Sequence, residues 1–200
     1  LEATTSAGTR RLTMRLLEAP TAFASGEWEG KDPHLYGANT LMVSAAAEQP
    51  HWAGDPDTSA WIYGTSTTFE HPGQPGDVPI FPRWTLTAPG TWTLPDPSWG
   101  QEIDFQRLGH DDSNLTYTSP ALLAGEDVEL DANADEPFMI TASGGLGPWM
   151  RGNGRELIYP VAPHTPPTNF TSITVAGASA GATATIECDR WYSRPFGCSI

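Results

Sequence analysis

Positive charge is scarce in this chain: 10 Lys and Arg stand against 24 Asp and Glu among 200 residues, a formal net charge of −14. A surface of that sign repels phosphate backbones, so direct binding to nucleic acid is not expected. Cysteine is scarcer still, with only two, Cys188 and Cys198. They are too few for a disulfide framework; a bridge closing the short loop between them and a pair of structural or free thiols both fit. Long apolar runs are missing, and none approaches the roughly 20 residues that a membrane-spanning helix needs. No basic segment followed by an apolar one opens the chain, so no secretory signal is legible, and no methionine starts it. Leu1–Thr5 reads as the middle of a strand system, and the expectation is of a piece whose N-terminal partners are missing.

What the chain does have is the vocabulary of β-structure: 20 Gly, 19 Pro, 8 Trp and many Thr. The densest stretch runs from Gly76 to Gly90, Gly-Asp-Val-Pro-Ile-Phe-Pro-Arg-Trp-Thr-Leu-Thr-Ala-Pro-Gly. Trp84, Leu86 and Ala88 alternate there with Arg83, Thr85 and Thr87, which sends one side into a core and the other into water. Pro79 and Pro82 cannot donate to a ladder, so this entry is expected at a sheet edge or a domain threshold.

Two units are expected, 1–57 and 58–200. In the first, Leu1–Thr5 and Thr9–Glu18 read as a hairpin, with Leu12, Met14 and Leu16 alternating along its second arm. Ala38–Ala47 returns to alternation at Leu41, Val43 and Ala45, and Gly54-Asp55-Pro56-Asp57 reads as a closing turn. Beyond residue 58 turn signals recur at the spacing of a β-sandwich, about 8–12 residues. The expected strands are Ser59–Phe69, Arg83–Thr87, Gly90–Leu94, Glu102–Phe105, Asn114–Thr118, Glu126–Asp131, Phe138–Ala142, Gly154–Tyr159, Thr171–Val175 and Ala182–Asp189. The fold class is therefore all-β: an antiparallel β-sandwich preceded by a partial β domain.

Catalytic patterns reduce to turns when tested against their mechanics. Gly177-Ala178-Ser179-Ala180-Gly181 matches G-x-S-x-G, but that elbow needs a helix after it, and Ala182–Glu187 alternates like a strand. Asp131-Ala-Asn133-Ala-Asp135 resembles the start of a calcium loop, yet Glu136 and Ala142 stand where Gly and Glu are required, so a solvated turn is expected. Asp111 and Asp112 beside His110 have no second carboxylate in a defined relation to them. His34, His51, His71, His110 and His164 show no metal-binding spacing and read as loop and surface residues. Asn153-Gly154 is a hairpin-turn pair rather than part of a nucleotide loop, and Asn114 and Asn169 begin formal glycosylation sequons. No catalytic, cofactor-binding or metal-ligating residue is assigned.

The tryptophans remain. Trp84 and Trp92 sit within strands and are expected inside. Trp99 and Trp149 lie in Pro/Gly-rich loops, where an aromatic face is placed to stack on a sugar ring or to serve an interface.

The motifs Gly76–Pro79, Pro82–Gly90, Ala124–Asp131 and Gly154–Pro163, with the exit Arg190-Trp191-Tyr192, resemble the C-terminal domain of distal tail proteins. These are minor tail proteins of long-tailed phages, here of the kind carried by phages of actinobacteria. Gly8–Leu16 and the segment from Asp32-Pro33 to Glu48-Gln49-Pro50-His51-Trp52 resemble the closing part of that family's ring-forming domain, whose opening part has no counterpart in these residues. The resemblance implies a structural virion protein rather than an enzyme, with no cofactor. It implies a hexameric ring between tail tube and tail tip, with a galectin-like or jelly-roll-like β-sandwich projecting outward. Implied partners are neighbouring copies, the tail tube protein, the tape measure protein and the tail-tip hub. The competing expectation is a carbohydrate-binding β-sandwich module that contacts host cell-wall glycans.

Overall fold

The computed structural model of the chain describes residues 1–6, 8–22, 41–133 and 135–196, with backbone alone at 21 and 22. The elements in chain order are β1 (Glu2–Thr5), β2 (Gly8–Arg11), β3 (Arg15–Leu16), β4 (Thr21–Ala22), β5 (Leu41–Met42), β6 (Ala45–Ala46), β7 (Trp52–Ile62), β8 (Phe69–His71), β9 (Arg83–Leu86), β10 (Thr91–Pro95), β11 (Thr116–Thr118), β12 (Val128–Asp131), β13 (Met139–Thr141), α1 (Gly147–Arg151), β14 (Thr168–Phe170), β15 (Thr174–Ala176) and β16 (Thr183–Tyr192). The fold is an all-β antiparallel sandwich. A seven-stranded sheet of order β1-β2-β7-β16-β9-β12-β13 forms one layer; β11-β10-β15 and the pair β14-β8 contribute to the other.

Alternation builds the core. Trp84 and Leu86 of β9, Val128 and Leu130 of β12, and Ala184 and Ile186 of β16 all point inward from the large sheet. They meet Trp92 and Leu94 of β10, Tyr117 of β11 and Phe69 of β8. Rings lock the layers together: Trp61 meets Trp92 edge-on at 6.0 Å, and Phe69 lies tilted on Trp84 at 5.2 Å. Rings of this size each bury on the order of 150–250 Å², so these four dominate the packing. Trp84 and Trp92 are wholly inside, as their strand positions require.

Several expectations are corrected. β9 is not at an edge; it lies between β16 and β12. Pro79 and Pro82 precede it, so neither is asked to donate to a ladder. Gly54-Asp55-Pro56-Asp57 is no turn but the middle of β7, which runs on through the expected boundary between residues 57 and 58. The ladder with β16 pairs Cys188 with Asp57 and Arg190 with Gly54, so a bulge there takes up Pro56, which has no N–H to give. Glu102–Phe105 is a run of tight turns, with Asp104 N–H donating to Gln101 and Gln106 N–H to Ile103. Gly154–Tyr159 contains no strand, and Asn153-Gly154 follows α1 with both residues at positive φ instead of closing a hairpin. The Gly177–Gly181 turn is no hairpin loop either: it carries the chain from β15, paired with β10, to β16 in the large sheet.

The hairpin β1–β2 forms as expected, though its second arm ends at Arg11. Beyond it the chain makes a separate two-stranded ribbon. Arg15 pairs with Ala46, Leu16 with Ala45, Thr21 with Met42 and Ala22 with Leu41, and Leu17 N–H donates to Ser44 at 3.0 Å. Among the described residues no other strand extends this ribbon. His34 and Cys198 lie outside the described residues; Cys188 is a free thiol inside the core, which burial pushes up to about 12.

Candidate functional site

The loop after β10 is built to hold Trp99. Asp96 is buried and accepts the N–H groups of Ile158 at 2.9 Å and Tyr159 at 3.2 Å. Burial pushes its carboxyl up to about 6 in spite of those bonds. Ser98 N–H donates to Asp112 O, and its hydroxyl donates to Glu102 at 2.6 Å. Gln101 Nε2 donates both to Ser98 O at 3.1 Å and to Pro160 O at 2.8 Å. Asp112 closes the frame by taking the Arg107 guanidinium and the Tyr159 hydroxyl, the latter at 2.6 Å, which together hold its carboxyl down at about 2.

Within that frame Trp99 has φ +52, followed by Gly100 at φ +80. A bulky side chain in the left-handed region costs on the order of 1–3 kcal/mol and persists only where its surroundings over-determine it. The ring meets His71 at 5.4 Å and Phe170 at 5.9 Å, both edge-to-face. Trp99 lines an open cleft of about 530 Å³ with Glu102, Asn114, Asn169, Phe170, Thr171 and Ser172 among its other walls.

His71 is a correction to the sequence reading: it is no surface residue but 4% exposed on β8. Its Nδ1 accepts Gly73 N–H at 3.0 Å, and desolvation lowers its pKa to about 4. It supports Trp99 as a neutral ring.

Trp149 lies elsewhere. It sits on α1, leans on Phe138 at 5.7 Å and lines a different cleft of about 330 Å³ with Asp131, Glu136 and Glu156. The two tryptophans singled out in the sequence therefore share no lining residue and do not form one site.

The remaining candidates resolve locally. Asp131 Oδ1 accepts Asn133 N–H at 2.8 Å and Asn133 Oδ1 accepts Asp135 N–H at 3.2 Å, the geometry of a solvated turn. Among the described residues no group of three or more His, Cys, Asp or Glu is placed to hold a metal ion. No described helix is long and apolar enough to cross a membrane. His51 stacks on Trp191 at 5.7 Å, at the root of the ribbon, beside a cavity of about 370 Å³ lined by Arg11, Met14 and Arg15. No family model and no curated protein matches this chain.

The other surface of note is the ribbon itself. Leu16, Leu17, Leu41, Met42 and Val43 are each about half or more exposed, from 49% at Val43 to 62% at Leu41. Leu16, Leu41 and Val43 belong to the alternation read from the sequence, and the ribbon leaves them exposed.

Proposed function

We propose that the chain is a structural, non-enzymatic component of a long non-contractile phage tail, of the distal tail type, forming a hexameric ring between tail tube and tail tip. The observation that carries this reading is the two-stranded ribbon β3–β6/β4–β5 with its exposed Leu16, Leu17, Leu41, Met42 and Val43. A ribbon of two strands is marginal in water by itself, and large apolar side chains left exposed on it suit an interaction surface. Covering it with a neighbouring copy removes both problems at once. The resemblance of Gly76–Gly90, Ala124–Asp131 and Gly154–Pro163 to the distal tail family supplies the identity of the assembly. On this reading the chain resides in the virion tail and meets the tail tube protein, the tape measure protein and the tail-tip hub.

The test is the mass of the assembly in solution. The full chain is expected to form a six-fold particle, and Leu16→Asp with Leu41→Asp to dissociate it. Burying one leucine is worth roughly 1.5–3 kcal/mol, so each substitution weakens a contact by about tenfold or more. Both residues are exposed in the single chain, so the fold survives the change. A strict monomer at high concentration counts against the ring.

A further inference from the structure

We infer that the cleft over Trp99 is a binding site for a neutral saccharide. This function is independent of ring assembly and rests on what lines the cleft. At one wall stands an aromatic ring held in a strained backbone conformation by the Asp96–Ser98–Gln101 frame. Among the described residues no hydrogen bond engages its indole N–H, and the residue is partly buried. A buried Trp N–H usually finds a partner, so a free one at a cleft wall is a donor available to a ligand.

Facing it are neutral polar groups. Among the described residues the side chains of Asn169, Thr171 and Ser172 make no hydrogen bond, and the carboxamide of Asn114 is engaged only through its nitrogen, to Ser113 at 3.2 Å. Hydroxyls and carboxamides that both donate and accept suit the hydroxyl groups of a sugar, while the apolar face of a pyranose suits an indole. Among the described residues Glu102 is the sole ionisable one in the lining, and one of its oxygens already accepts from Ser98.

Charge narrows the ligand class. The described residues of the lining include no Lys, Arg or His, and the chain as a whole carries −14. Phosphate, sulfate and uronate groups would be desolvated there without a counter-charge. A lipid chain would leave the Asn, Ser and Thr groups unpaired. A volume of about 530 Å³ falls within the roughly 300–1,000 Å³ usual for small-molecule sites. The rigid loop also lowers the ordering that binding would demand. The Trp149 cleft fails on the same criteria: it is smaller, and Asp131, Glu136 and Glu156 give it three carboxylates.

The experiment follows the indole N–H signals of the full chain during titration with tetrasaccharides of glucose, mannose, galactose and N-acetylglucosamine, and with a galacturonate tetrasaccharide as the anionic control. At least one neutral sugar should shift the Trp99 signal saturably, and the anionic one should bind at least tenfold more weakly. Trp99→Ala should weaken binding about tenfold or more, since stacking and area burial are both lost. Asn169→Ala with Thr171→Ala changes two exposed side chains and leaves the core intact, so the folded variant should lose about fivefold or more. Trp149→Ala should bind as the parent does. The proposal is overturned if no neutral sugar moves the Trp99 signal, if galacturonate binds as tightly as the best neutral sugar, or if the Asn169/Thr171 double variant binds undiminished.

Discussion

His71 links the stability of this fold to pH, and the size of the effect follows from its surroundings. The ring is 4% exposed, flanked edge-on by Phe69, Trp99 and Phe170, with Nδ1 accepting Gly73 N–H. Desolvation alone lowers its pKa from 6.5 to about 4. The folded chain therefore resists a proton that the unfolded chain takes up readily. Stability from this group is complete above about 6.5 and is lost as the pH falls through about 4. At 1.36 kcal/mol per pKa unit the whole displacement is worth about 3 kcal/mol, and about 2 kcal/mol of it falls between pH 7 and pH 5.

Asp96 works in the opposite sense. Burial raises its pKa from 3.8 to about 6, so its contribution is complete below about 3.8 and is lost as the pH rises through about 6. Between pH 5 and pH 7 that loss is about 1 kcal/mol. The two slopes overlap and partly cancel, so the pH dependence of the unaltered chain in this window understates the His71 slope. His71→Asn exposes the hidden slope, because Asn keeps an acceptor for Gly73 N–H while removing the titrating ring. Urea unfolding of parent and variant at pH 7 and pH 5 reads the difference directly. The stability gap between the two proteins should change by about 2 kcal/mol across the interval, in the variant's favour at pH 5. Identical pH dependence in the two proteins, or an NMR titration of the His71 ring near 6.5, refutes the reasoning.

Two further outcomes are expected. Asp96→Asn should remove the opposing slope, so that this variant loses about 1 kcal/mol more than the parent on acidification from pH 7 to pH 5; an unchanged slope would mean that Asp96 is solvated. Gly76→Ala should destabilise by about 1–3 kcal/mol, because its Cβ would lie 2.0 Å from the backbone oxygen of Trp191 and one of the two segments must move. The denaturant midpoint measures this change, and a variant as stable as the parent would show that the turn is not tied to β16.

How much of this was legible in the sequence depends on how local its cause is. The inward set Trp84, Leu86, Val128, Leu130, Ala184 and Ile186 follows from period two alone, and so does the all-β class. Gly54-Asp55-Pro56-Asp57 carries every local mark of a turn, yet its state is fixed by β16, a partner more than a hundred residues away. Ile103 and Phe105 alternate with acidic residues as a strand would, but Gln101 ties the segment to Ser98 and Pro160, and the chain winds instead. Trp99 and Trp149 share composition and loop context; that they belong to different clefts is a tertiary fact. His71 did leave a signal: Phe69-Glu70-His71 repeats the same period of two, which puts the histidine on the buried side with Phe69.

The same non-local pairing bears on how the ribbon and the sandwich act together. β7 and β16 are joined in register from Ile62–Thr183 to Trp52–Tyr192, with the bulge between Cys188 and Arg190 as the one interruption. One end of this pair is core, through Trp61, Ala184, Ile186 and Cys188; the other carries Trp191 beside the ribbon root and Tyr192 under the Arg10 guanidinium at 3.5 Å. Arg10 also donates to Arg194 O at 3.0 Å, binding β2 to the chain just beyond β16. A flexible linker would let a docked ribbon swing relative to the sandwich. The β7–β16 ladder resists bending inside the sandwich itself, because displacement there must break several hydrogen bonds together rather than rotate single backbone bonds. The expected boundary at residues 57 and 58 thus coincides with a stiff stretch of the sandwich, and the ribbon joins it through the segments 12–14 and 47–51, which lie outside the named strands.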